Sequence, residues 1–140
     1  MNTLPVSRSV AVLLTAAILT ACGASDLAPN AARGDRPTVI TAQAVHARLQ
    51  SKDKPLIVDV REPSEFQEGH IKGAKLVPLG SVEQGVAGIP KDREIVLVCR
   101  SGRRSGKARE LLAGRGYTRL QNMEGGMLAW EKNGYPVVKP

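Results

Sequence analysis

Two short apolar runs constrain what this chain can fold into. Leu56-Ile57-Val58-Asp59-Val60 and Glu94-Ile95-Val96-Leu97-Val98 are apolar at successive rather than alternate positions. That is the pattern of a strand buried on both faces of a parallel sheet. Parallel strands require crossover connections, and the stretches between these runs carry helical patterns. Further strand candidates are Val39-Ile40, a short segment entering at Lys75-Leu76-Val77, and Tyr117 to Gln121. The expected fold class is α/β: a central, mostly parallel sheet of about five strands, helices on both faces and right-handed crossovers. The run from Glu94 is expected to be the central strand.

The helix signals are local and specific. Thr41 is placed to cap a helix over Ala42 to Gln50, whose apolar Ala44, Val45 and Leu49 recur at helical spacing. His46 lies on that helix with no second ligand in sight and is expected at the surface. Pro63 opens a short helix and Gly69 closes it. Ser81 to Ala87 reads as a brief helix between glycines. A longer helix follows Ser105 and runs to about Ala113, where Gly114 and Gly116 stop it. Gly125-Gly126 precede a last helix, Met127 to Lys132, ended by Asn133-Gly134, with Trp130 expected in the core.

Residues 1–21 read as a leader rather than as fold. Arg8 lies in a short amino-terminal region, Val10 to Leu19 is apolar or nearly so, and Leu19-Thr20-Ala21-Cys22 follows. Such a run is too short to span a bilayer. The tetrapeptide resembles a bacterial lipobox, which implies a lipidated Cys22, export, and a membrane anchor through N-terminal lipid. Gly23 is not the aspartate associated with inner-membrane retention in enteric bacteria. The expected place is therefore the cell envelope: the periplasm, with the outer membrane favoured, or the outer face of the cell membrane. Residues 22–37, rich in Gly, Ala, Ser, Pro and Asn, read as a flexible tether, and residues 38–140 as the folded domain.

Composition narrows the function classes. Aromatic residues make up 3% of the chain and apolar residues 42%, so the core is aliphatic. The formal charge of +7 raises nucleic acid as a partner. No aromatic residues are interleaved with the basic ones and no recognition module is visible, so no nucleic-acid role is expected. Nor does the sequence call for a metal or a cofactor.

With Cys22 carrying lipid, Cys99 is the one remaining thiol and has no partner for an internal disulfide. It follows the central strand directly and begins Cys99-Arg100-Ser101-Gly102-Arg103-Arg104-Ser105. A residue there lies at the carboxyl end of a buried strand, where open α/β sheets bind ligands, and beside a helix N-terminus that favours anions. Arg100, Arg103 and Arg104 add positive charge, and Ser101-Gly102 let the loop curl so that backbone N–H groups point inward. These influences lower a thiol pKa and make a nucleophilic thiolate. A buried, inert cysteine is the other reading these residues leave open.

Cys99 to Ser105, together with Asp59-Val60-Arg61-Glu62, Glu65-Phe66, Gly69-His70-Ile71-Lys72-Gly73-Ala74, Gly125-Gly126 and Trp130, resembles the rhodanese-like sulfurtransferases, and in particular their small exported single-domain members. The resemblance runs from about Val39 to Val138. It implies a rhodanese-like fold, thiosulfate or a similar small anionic sulfur compound as donor, and cyanide or a thiol as acceptor. It also implies a persulfide on Cys99 between two half-reactions. By position, Arg100 to Ser105 match the family's cradle, and the loop from Cys99 through Arg104 has the sulfurtransferase length. Asp59 and Arg61 match a supporting pair, and Asp59 is expected to reach Arg104 or a loop N–H. His70 matches a hydrogen-bonding strut rather than a general base.

Two other activities compete. A phosphatase or arsenate reductase needs a Cys-x5-Arg loop, and here that sixth position is Ser105, with Arg104 one residue early. A sulfur carrier without turnover, or a redox sensor oxidised at Cys99, would use the same exposed thiolate.

Overall fold

The computed structural model describes residues 37–85 and 88–140. The expected leader, Cys22, Gly23 and nearly all of the tether lie outside the described residues, as do Val86 and Ala87. The described part belongs to one compact unit, Ala31–Pro140. Its elements are β1 (Val39–Ile40), α1 (Ala42–Leu49), β2 (Leu56–Asp59), α2 (Pro63–Glu68), β3 (Lys75–Leu76), α3 (Leu79–Glu83), β4 (Ile95–Val98), α4 (Arg103–Gly114), β5 (Leu120–Met123) and α5 (Gly126–Lys132).

All the strand pairings are parallel, in the order β1-β5-β4-β2-β3, so β4 is the central strand as expected. The register aligns Leu56 with Ile95 at one end and Asp59 with Val98 at the other. Burial on both faces explains the unbroken apolar runs. Val58, Val60, Ile95 and Leu97 face Val82 of α3 and Ala108 and Leu112 of α4. The alternate residues Ile57, Val96 and Val98 face Val45 of α1 and Met127 and Trp130 of α5. Trp130 is a core residue, 2% exposed.

Local signals acted where they were read. The Thr41 hydroxyl accepts the Ala44 N–H at 3.2 Å, and Pro63 opens α2 in a capping box between Glu62 and Glu65. Three boundaries differ from expectation. The chain's third helix begins at Leu79, because Pro78 supplies its N-cap, and its last residue is Glu83, before Gly85 turns the chain at φ 81°. The last strand starts at Leu120, not Tyr117. The Tyr117 N–H closes the end of α4 on the Leu112 carbonyl, and its hydroxyl donates to Ile89 O at 2.7 Å, so Tyr117 is committed before the strand begins. The longest helix begins at Arg103 rather than after Ser105. Gly102, at φ 93°, reverses the chain at once and places Arg103, Arg104 and Ser105 in the first turn.

Candidate active site

Cys99 leaves the carboxyl end of β4 and lies 1% exposed beneath a tight turn. Its Sγ accepts the Gly102 N–H at 3.0 Å and the Ser105 hydroxyl at 3.3 Å. Burial pushes the thiol up. The Ser105 hydroxyl, with the N–H groups of Ser105, Ser101 and Gly102, outweighs burial, so Cys99 titrates below its ordinary value. Converging backbone N–H groups and a helix N-terminus of this kind form an anion nest. The donors are main chain, as the curled loop led one to expect, and one hydroxyl; none of the three arginines donates to Sγ.

Arg104 is engaged elsewhere. Its guanidinium grips Glu65 of α2 in a fork, Nη1 to Oε2 at 2.6 Å and Nη2 to Oε1 at 2.7 Å. The ion pair, aided by the Glu62 backbone, holds the Glu65 carboxyl down to about 2. Asp59 therefore does not meet Arg104 or the loop. It is 1% exposed and bonds within its own turn to Arg61, accepting the Arg61 N–H at 3.0 Å and Nη2 at 2.7 Å. Arg61 Nη2 also donates to Gly69 O at 2.8 Å, so the pair ties the end of β2 to the end of α2. The correction has a simple physical cause. With Arg61 two residues away and buried with it, the Asp59 charge is satisfied before any partner across the sheet is reached. His70 acts as a strut: its Nδ1 lies 3.0 Å from Phe66 O, its ring stacks on Phe66, and its backbone pairs with Val138.

Arg100 and Arg103 are exposed. Arg103, Arg104, Ser101, Lys107 and Leu79 line an open depression of about 340 Å³ at the turn above Cys99. Leu79 comes from α3, which residue patterns did not connect with the site.

The loop is held from behind by residues whose part was not foreseen. The Met127 and Leu128 N–H groups, in the first turn of α5, donate to the carbonyls of Cys99 and Arg100 at 2.8 and 3.0 Å. Asn122 Nδ2 donates to Gly102 O at 3.0 Å. Gly126 permits the approach: a Cβ there would stand 2.6 Å from Arg100 O and closer still to Cys99 O. The legible signal was the Gly125-Gly126 pair between a strand and a helix, which marks close backbone packing. Among the described residues, no group of three or more His, Cys, Asp or Glu is placed to hold a metal ion, and no helix is long and apolar enough to cross a membrane.

A strand-end cysteine in a nest of N–H donors, on a parallel sheet ordered 1-5-4-2-3, defines the class of site. Residues 41–133 match the family model for the rhodanese-like domain. The chain belongs to the rhodanese-like family. It is 39% identical over 101 residues to a sulfurtransferase of Allochromatium vinosum, covering 72% of this chain and 94% of that one. It is 40% identical over 70 residues to the thiosulfate sulfurtransferase PspE of Escherichia coli, covering 49% of this chain and 67% of that one. The solved structure of a rhodanese-related protein from Thermoplasma volcanium superposes with a TM-score of 0.67 at 28% identity, covering 74% of this chain and 100% of that one. That solved chain is matched along its whole length, so a relative of about this domain's extent folds by itself.

Proposed function

We propose that the protein is a thiosulfate sulfurtransferase working through a persulfide on Cys99. The observation that carries this reading is the arrangement around Sγ: two hydrogen bonds, from Gly102 N–H and the Ser105 hydroxyl, and a thiol held below its ordinary pKa. The thiolate attacks the outer sulfur of thiosulfate. A sulfur–sulfur bond to Cys99 forms, the donor's sulfur–sulfur bond breaks, and sulfite leaves with the electron pair. Cyanide or a thiol then takes the outer sulfur from the persulfide, giving thiocyanate or a new persulfide and restoring the thiolate. Arg100 and Arg103, exposed at the turn, attract the dianion. The nest stabilises each anionic form of Cys99 without a general base.

The kinship with sulfurtransferases supports the reaction class, and the loop supports sulfur over phosphorus. Ser105 occupies the sixth position after the cysteine and spends its hydroxyl on Sγ, while Arg104 is held by Glu65. The test is turnover of residues 31–140 with thiosulfate and cyanide, alongside intact mass after thiosulfate alone. One added sulfur on Cys99 and loss of thiocyanate formation in Cys99→Ser are expected, whereas normal turnover in that variant overturns the reading. We further propose that the chain is exported and anchored through lipid on Cys22. Mass spectrometry of the N-terminus is expected to begin at a diacylated Cys22, and an unmodified Cys22 refutes the anchor.

A further inference from the structure

A second cavity lies at the opposite end of the sheet. It has a volume of about 320 Å³ and opens beside Leu56 and Ile57, at the start of β2. Leu56 is in register with Ile95, the first residue of β4, whereas Cys99 follows the last. Four residues of strand separate them, roughly 13 Å at about 3.3 Å per residue. Nothing in the sulfur chemistry draws on this cavity.

Its walls and rim differ in character. Leu49, Leu56, Ile57 and Ile71 give an apolar floor, and Trp130 and His46 an aromatic wall. The wall is rigid. His46 stacks on Tyr135 with ring centres 4.0 Å apart and planes within 1°, meets Trp130 edge-on at 5.7 Å, and Trp130 Nε1 donates to Pro136 O at 3.0 Å. His46 is half-buried: its ring forms part of this open wall, stacked on one side against Tyr135. Lys54, Lys72 and Arg93 reach the cavity from three separate turns. None of the three has a hydrogen-bond or ion-pair partner among the described residues. No carboxylate lines the cavity, although Asp53 and Glu94 adjoin two of these cations in sequence.

We propose that this cavity binds a small amphipathic organic anion, an apolar or aromatic body carrying one carboxylate or sulfonate. A cavity of roughly 300 Å³ or more with apolar walls and a few charged groups is the usual form of a small-molecule site. A small inorganic anion would shed its water against the apolar floor with no apolar gain, and a neutral or cationic body would forgo or oppose the three cations. An apolar body on the floor with its acid at the rim satisfies both.

The probe is 8-anilinonaphthalene-1-sulfonate, titrated into residues 31–140. Trp130 is the only tryptophan of the chain and lines this cavity, so energy transfer from it reports bound probe, and the charge-reversed variants of the rim locate that probe in the cavity. Saturable transfer is expected. Each of K54E, K72E and R93E, all exposed turn positions, should weaken binding about threefold, and K72E/R93E about tenfold. The neutral analogue N-phenyl-1-naphthylamine should bind about tenfold more weakly than the sulfonate, and millimolar thiosulfate should not compete. Near-ultraviolet circular dichroism confirms that each variant is folded, and the single variants serve where the double does not fold. Absence of transfer, equal binding by the charge-reversed variants, or equal binding of the neutral analogue overturns the proposal. Because the readout is binding, its failure leaves the sulfurtransferase reading untouched, and the reverse also holds.

Discussion

At the carboxyl ends of the strands the site is made mostly of main chain, whereas at the amino ends the cavity is made of side chains. Around Cys99 the donors are the N–H groups of Gly102, Ser101 and Ser105 with the Ser105 hydroxyl, and the loop carbonyls are in turn held by N–H groups of α5. Around the opposite cavity the features are a stacked His46, Trp130 and three cations without a partner among the described residues. A main-chain site has little tolerance for an added atom, because nothing in it can rotate away. A side-chain site trades residues freely and changes its ligand instead. The ion pairs follow the same division. The Asp59 and Arg61 side chains are 1% and 7% exposed at the carboxyl end, whereas in the fork at the amino end the Glu94 side chain is 10% and the Arg48 side chain 32% exposed.

The sharpest test compares those two pairs. Asp59→Ala leaves Arg61 charged and buried, and is expected to cost about 3–5 kcal/mol in urea unfolding, while Arg48→Ala costs about 1 kcal/mol. Equal losses would remove the contrast between the two ends. Next in size is Gly126→Ala, which drives a Cβ into the carbonyls of Cys99 and Arg100 at a positive φ of 55°. A loss of roughly 2–3 kcal/mol and of most sulfur transfer is expected, against a change near zero for Gly114→Ala, where the added methyl meets open space. If Gly126→Ala leaves turnover intact, the clamp from α5 is not what shapes the loop.

A smaller effect concerns the thiol. Titration of Cys99 by thiolate absorbance should show an inflection below that of a free thiol, and Ser105→Ala should move it upward by removing the hydroxyl that donates to Sγ. No movement would assign the stabilisation to the backbone alone. The smallest is the half-exposed pair of Glu65 and Arg104. The folded carboxyl is held at about 2, below its unfolded value near 4.5, so the pair stabilises above the unfolded value and is lost as pH falls toward 2. Glu65→Gln should cost about 1 kcal/mol at neutral pH and only a small part of that at pH 2, once solvent screening is allowed for. An equal cost at both pH values would mean that the carboxylate charge is not the source.

What could be read from the residues follows the range over which each signal acts. Thr41, Pro63 and Gly69 act within a turn, and the apolar runs of β2 and β4 report burial on two faces whatever their neighbours are. Cys99 was legible because strand, cysteine and helix are contiguous. The errors lie where a partner is chosen across the fold. Arg104 chose Glu65 and Asp59 chose Arg61, and charge in a sequence does not name its partner. Asn122 and Leu79 reach the loop from elements far away in the chain, so their part depends on packing that no local pattern carries.

The edge strand β1 has consequences for the order in which the chain can fold. Val39 pairs with Asn122 and Ile40 with Met123, so the first strand has its only strand partner in the last. A chain delivered from its N-terminus can assemble β2, β3 and β4 with their helices, but β1 must wait until some eighty residues later have arrived. Loop closure over that span is a slow, non-local step. The step that seats β1 also requires the segment leading into α5, whose N-terminus clamps the Cys99 carbonyl. The nest around the thiol is therefore completed only when nearly all of the domain has arrived, and an incompletely delivered chain exposes an unformed site rather than an active one.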